Sequence, residues 1–135
     1  MKELNILFLE DDKIEVLKFE RVLTSLDPDH TLEVVNNGEE ALEFLKKNSI
    51  PPDIILLDLN MPKLNGIEFL RLIKSDPRLM YIPAVVLTTS LNNKDLFECY
   101  KLGIAGYILK PLKYEDYLIK IKYMIDYWSI NEFKK

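Results

Sequence analysis

Carboxylates, a hydroxyl and an ammonium each stand at the end of a short apolar run in this sequence: Glu10 and Asp11, Asp58, Thr88 and Lys110. Glu10 and Asp11 lie in LFLEDDKIE, Asp58 in ILLDLNMP, Thr88 in AVVLTTS and Lys110 in GYILKP. Three carboxylates gathered at one place repel one another unless a cation sits among them. Oxygen ligands with no histidine or cysteine nearby suit a hard divalent ion, of which magnesium is the abundant choice. A carboxylate can attack phosphorus while a metal and a lysine offset charge on the equatorial oxygens and a threonine hydroxyl hydrogen-bonds one of them. Glu10-Asp11-Asp12 alone has another reading, as a cap on the next helix with acidic side chains favoured by its macrodipole. Thr88 and Lys110 tip the balance toward a phosphoryl pocket. No activated serine or cysteine with a histidine base belongs to the set.

These residues meet only if the chain brings them together. Apolar runs and amphipathic stretches alternate from end to end, with no repeat, low-complexity segment or long linker. The runs at 5–10, 31–35, 53–57, 84–88 and 106–109 read as strands buried on both faces of a parallel sheet. Helices are predicted over 13–25, 38–47, 66–75, 92–102 and 114–130, with Asn37, Asn92, Pro51, Pro77 and Gly103 as border signals. Right-handed crossovers wind such a (βα)5 chain into an open α/β sheet with helices on both faces. Its ligand site then lies beyond the carboxyl ends of the strands. Glu10, Asp11 and Asp58 end their strands there, whereas Asp53 begins one and belongs to the opposite rim.

Composition bounds the rest. A length of 135 residues with 48% hydrophobic content allows one domain, taken as 1–135, with a real core. No run approaches the roughly eighteen apolar residues of a membrane span, and acidic residues come too early for a secretory signal, so a soluble cytoplasmic protein is expected. Cys99 is the only cysteine, which excludes an internal disulfide and leaves it the role of a small hydrophobe. His30, the only histidine, is given no function. A net charge of −4 with scattered basic residues argues against nucleic acid as a partner. Lys134 and Lys135 read as a solvated terminus.

LFLEDDKIE, ILLDLNMPKLNGIEFL, IPAVVLTTS and AGYILKP, in this order and spacing, resemble the receiver domains of two-component response regulators over essentially the whole chain. The resemblance implies a doubly wound, flavodoxin-like sheet in strand order 2-1-3-4-5. It also implies a stand-alone switch that accepts a phosphoryl group from a histidine kinase on Asp58, uses magnesium and signals through protein contacts. Asp11 would bind the metal directly and Glu10 largely through water, alongside the Asp58 carboxylate and the Asn60 carbonyl. Thr88 would be the switch hydroxyl, Lys110 the phosphate-pairing lysine and Tyr107 the switch aromatic. The Lys110–Pro111 bond would be cis.

Met61 and Pro62 match the turn after the acceptor, and Gly66 the start of the next helix. Thr89 stands where the family commonly has alanine and would narrow phosphodonor access; Asn60 and Ser90 occupy positions that tune phosphoryl lifetime. LDLNMPKLNG, VVLTTS and the aromatic last helix are similar to the small receivers that partner bacteriophytochrome-type kinases. Two competing readings are a magnesium-dependent phosphatase with an aspartyl-phosphate intermediate and an unphosphorylated interaction module. The first lacks an aspartate two residues beyond Asp58, where Asn60 stands, and also a cap domain. The second usually loses part of the pocket, which is complete here. The chain runs about twenty-five residues past Lys110, so output is expected from protein contacts.

The last helix carries one more signal. At about 100° per residue, Tyr117, Ile121, Met124, Ile125 and Trp128 share one arc, which should pack on the sheet. Ile119, Tyr123, Tyr127 and Ile130 share a second, roughly opposite arc. An unburied stripe of Tyr and Ile suits an interface, so a homodimer through this helix is expected.

Overall fold

The computed structural model describes residues 2–89 and 91–134. In chain order its elements are β1 (Asn5–Leu9), α1 (Lys13–Leu26), β2 (Thr31–Val35), α2 (Gly38–Lys47), β3 (Ile54–Leu57), α3 (Gly66–Lys74), β4 (Ala84–Thr88), α4 (Asn93–Lys101), β5 (Gly106–Leu109) and α5 (Tyr114–Ser129). All pairings are parallel and the strand order is β2-β1-β3-β4-β5. Every predicted element is present, with ends that differ by at most a residue. Asp53, for example, lies just outside β3, where its carboxylate accepts the Asn5 N–H at 2.8 Å at the rim opposite the acidic cluster.

Alternation across the pleat divides the core into two layers. Leu7, Leu9, Ile55, Leu57, Ala84 and Val86 face one way, onto Ala41, Leu45, Phe69, Ile73 and Cys99 of α2, α3 and α4. Ile6, Phe8, Ile54, Leu56, Val85 and Leu87 face the other, onto Phe19 and Val22 of α1 and Tyr117, Ile121 and Ile125 of α5. Helix starts follow local chemistry: Asp12, Asn37, Asn65 and Asn92 accept main-chain N–H groups of the first turn, and Asn65 with Glu68 completes a capping box.

Cys99 is a packing residue, buried in the first layer, and burial pushes its thiol up to about 11, with Asp95 and Glu98 adding to the rise. His30 is structural, its Nδ1 accepting the Leu4 N–H at 2.8 Å. Met61, expected only as a turn residue, lies buried in the first core layer, because the loop after β3 folds back over the sheet. No helix among the described residues is long and apolar enough to cross a membrane. Ser90 and Lys135 lie outside the described residues.

Candidate functional site

The sheet delivers the site residues by running its hydrogen-bond ladder one residue past the strands. Glu10 N–H donates to Val35 O at 3.0 Å, Asp58 N–H to Leu9 O at 3.1 Å, and Lys110 N–H to Thr88 O at 2.7 Å. These main-chain bonds fix where each side chain leaves the sheet, so Glu10, Asp58, Thr88 and Lys110 occupy one carboxyl edge. Asp11 follows Glu10 on the exposed rim, and Asn60 is likewise exposed.

The loop from Asp58 to α3 is held tightly. Asn60 N–H donates to Asp58 Oδ1 at 3.3 Å, Gly66 N–H to Leu59 O at 3.1 Å, and Gly38 N–H to Leu64 O at 3.2 Å. Lys63 and Leu64 sit at φ 44° and 40°, in the left-handed region that side chains disfavour. Gly66 has to be glycine for steric reasons: a Cβ there would lie 2.7 Å from Leu59 Cα and 2.9 Å from the Asp58 carbonyl oxygen. Gly66→Ala should therefore destabilise the fold by about 1–3 kcal/mol, as overpacking commonly does. Urea unfolding checks this, and an unchanged midpoint would show that the loop yields freely.

The buried end of the site is an ion pair. Lys110 Nζ donates to Glu10 Oε1 at 2.8 Å, with the two side chains 3% and 1% exposed. Glu10 Oε2 accepts the Asp12 N–H at 3.3 Å. Burial raises the Glu10 carboxyl above the usual carboxylate range, against the hydrogen bond and charge of Lys110. Burial also pulls the Lys110 ammonium down, but the hydrogen bond to Glu10 and the charges of Glu10, Glu15 and Asp58 outweigh it, and the net direction is upward. Tyr107 is half-buried; burial raises its hydroxyl, aided by charges that include Asp58 and opposed by a hydrogen bond from the Asn92 main chain. Thr88 is buried and Thr89 exposed.

Among the described residues no group of three His, Cys, Asp or Glu side chains is close enough together to hold a metal. Glu10 turns its carboxylate inward onto Lys110, because a desolvated carboxylate is most stable against the buried ammonium. One expectation is corrected here: the Lys110–Pro111 bond is not cis, since no described peptide bond is. The trans form is the intrinsically favoured one, and the Thr88 carbonyl and Glu10 carboxylate already hold the lysine at both ends.

One residue of the site went unnoticed in the sequence. Glu15, in the first turn of α1, places Oε2 3.6 Å from Lys110 Nζ. Its signal was its position: it lies four, seven and eight residues before the buried Phe19, Val22 and Leu23, on the inward face of the helix.

The donor set suits a hard divalent cation. Every candidate ligand is an oxygen, Asp11 and Asp58 reach the open side of the edge, and the charge of the buried Lys110 leaves the acidic cluster with excess negative charge.

The response regulator receiver domain profile matches residues 6–122. Response regulator Rcp1 of Synechocystis sp. is 38% identical over 128 residues, covering 91% of this chain and 87% of that protein. Among solved structures, the phosphorylated cyanobacterial phytochrome response regulator RcpA superposes with a TM-score of 0.92 at 35% identity, covering 99% of this chain and 100% of that one. The Mn(2+)-bound form of Rcp1 superposes with a TM-score of 0.90 at 35% identity, covering 98% and 99%. With its carboxyl-edge acids, threonine and lysine on a 2-1-3-4-5 sheet, the chain belongs to the response regulator receiver domain family of two-component systems, close to the Rcp1 and RcpA regulators.

Proposed function

We propose that this chain, as a single receiver domain, is a phosphorylation switch whose acceptor is Asp58 and whose donor is the phosphohistidine of a histidine kinase. The observation that carries this reading is the placement of Asp58 beside a buried Lys110–Glu10 pair at the carboxyl edge, with Thr88 on the adjacent strand. An Asp58 carboxylate oxygen forms the new bond to phosphorus while the bond from phosphorus to the imidazole nitrogen breaks, its electron pair leaving with the donor. Lys110 supplies positive charge to the transferred oxygens, and the Thr88 hydroxyl donates a hydrogen bond to one of them. Asp11, Asp58 and the Asn60 carbonyl, with Glu10 through water, would hold magnesium, which when bound neutralises charge on the phosphoryl oxygens. Tyr107 follows Thr88 as the aromatic that repositions.

Acetyl phosphate with magnesium tests the reading. The expected product is one base-labile acyl phosphate per chain, suppressed by chelation. Repeated turnover of a phosphate monoester would point to a phosphatase, and absence of any label would reject the switch.

Output is proposed to run through contacts of α5, in a homodimer. Ile119, Tyr123, Tyr127 and Ile130 are 47%, 70%, 56% and 67% exposed, while Tyr117, Ile121, Met124 and Ile125 are buried. Beside the exposed stripe, Tyr107, Lys120, Tyr123, Met124, Tyr127 and Trp128 line a groove of about 560 Å³ along the edge strand β5. A partner chain seated there would cover Tyr and Ile side chains rather than isolated polar atoms. Sedimentation at micromolar concentration, with and without beryllium fluoride, should show a dimer in at least one state, and the double substitution Tyr123→Glu, Tyr127→Glu should dissociate it. A monomer in both states rejects this interface.

A further inference from the structure

We propose that Glu15 is a positioning residue for phosphoryl transfer: it holds the Lys110 ammonium when Glu10 turns toward a bound cation. The proposal rests on the switch reading above and concerns a residue on α1 rather than at a strand end. Glu15 occupies a position where the stripe of Phe19, Val22 and Leu23 calls for an apolar side chain, and its own side chain is only 18% exposed. A carboxylate so placed is costly unless paired. Two ammonium groups flank its Oε2, Lys110 Nζ at 3.6 Å and Lys18 Nζ at 3.7 Å, yet that oxygen accepts no hydrogen bond. Lys18 in turn lies 4.5 Å from the centroid of the buried Tyr117 ring, which keeps it turned inward beside Glu15.

Lys110 therefore has two carboxylates within reach, one hydrogen-bonded and one in reserve. In the structure it favours Glu10 at 2.8 Å. A cation drawing on Glu10 competes with that bond, and a lysine with no second anion would have to remain buried without a partner. Glu15 removes this conflict, because a shift of under about an ångström brings the ammonium within hydrogen-bond distance of its free oxygen. The lysine stays charged and inside the site, ready to meet the phosphoryl oxygens, while Glu10 becomes available to the cation.

The expected consequence is non-additive. In Glu15→Gln, Lys110 depends on Glu10 alone and resists its release, so magnesium binding measured by calorimetry should weaken about fivefold. In a Glu10→Gln background there is no Glu10 carboxylate to contest, and adding Glu15→Gln should change the affinity less than about twofold. Thermal melts of each variant establish that it is folded, and Glu15→Met, which suits the apolar stripe, provides a second version of the same cycle. An equal loss in both backgrounds would mean that Glu15 acts only as a distant charge, and no loss in either would mean that it is merely structural; both overturn the proposal. If the unaltered chain is labelled by acetyl phosphate and Glu15→Gln binds magnesium as tightly as it does, only this inference falls. If the unaltered chain neither binds magnesium nor takes label, the switch reading falls with it.

Discussion

Asp58→Asn should abolish labelling by acetyl phosphate, lowering the initial rate at least about a hundredfold, because a neutral amide has no carboxylate lone pair to offer phosphorus. The substitution is nearly isosteric, and its carbonyl oxygen can still accept the Asn60 N–H that now donates to Asp58 Oδ1. The loop should keep its shape. The fold should change little in stability, since the Asp58 charge works against the buried Glu10 carboxylate but favours the buried Lys110 ammonium, and its removal takes away both. Loss of label together with an unchanged or raised melting temperature therefore identifies the nucleophile rather than a damaged fold. Acyl phosphate recovered on any aspartate of the variant would move the acceptor elsewhere.

Asp11→Ala is expected to have the next largest effect, a loss of at least about tenfold in magnesium affinity. Its two acidic neighbours are already engaged. Glu10 is buried against Lys110, and Asp12 accepts the Ile14 N–H at 2.9 Å as the cap of α1. Asp11 lies between them, exposed, with no hydrogen bond or ion pair to another described residue. Its oxygens are the ones at the rim left free for an outside cation, and its truncation should cost the fold little. Calorimetry with magnesium, backed by the metal concentration needed for half-maximal labelling, measures the effect. Equal affinity in the variant would mean that the cation is held without Asp11, by Glu10 and Asp58.

Much of this molecule could be read from its residues. Strands buried on both faces must be nearly continuous apolar runs, and β1, β3 and β4 are such runs, bounded by residues that either end a strand or cap a helix. Asp12, Asn37, Asn65 and Asn92 carry their own start signals, since a cap is a bond between neighbours in sequence. The same locality placed Glu10, Asp58, Thr88 and Lys110 on one edge, because in a parallel sheet strand direction alone decides which end a residue reaches. The two arcs of α5 followed from a single period, and the structure buries one, except for the half-buried Trp128, and exposes the other.

Only the tertiary structure decided what those side chains do once they meet. Lys110 and Glu10 are a hundred residues apart, and nothing near either position specifies that they pair or that the carboxylate turns away from Asp11 and Asp58. Met61 went from turn to core for a similar reason, since its burial depends on how the loop closes through the Gly38 and Gly66 contacts. Glu15 is the clearest instance. Its helical position was visible in the period of α1, but its meaning depended on Lys110 arriving from β5 and Tyr117 from α5. Local patterns record the secondary structure and the end of the sheet to which a residue is carried. The choice of partner for a buried charge is a competition among groups from distant segments, settled by desolvation and distance only when the fold has closed.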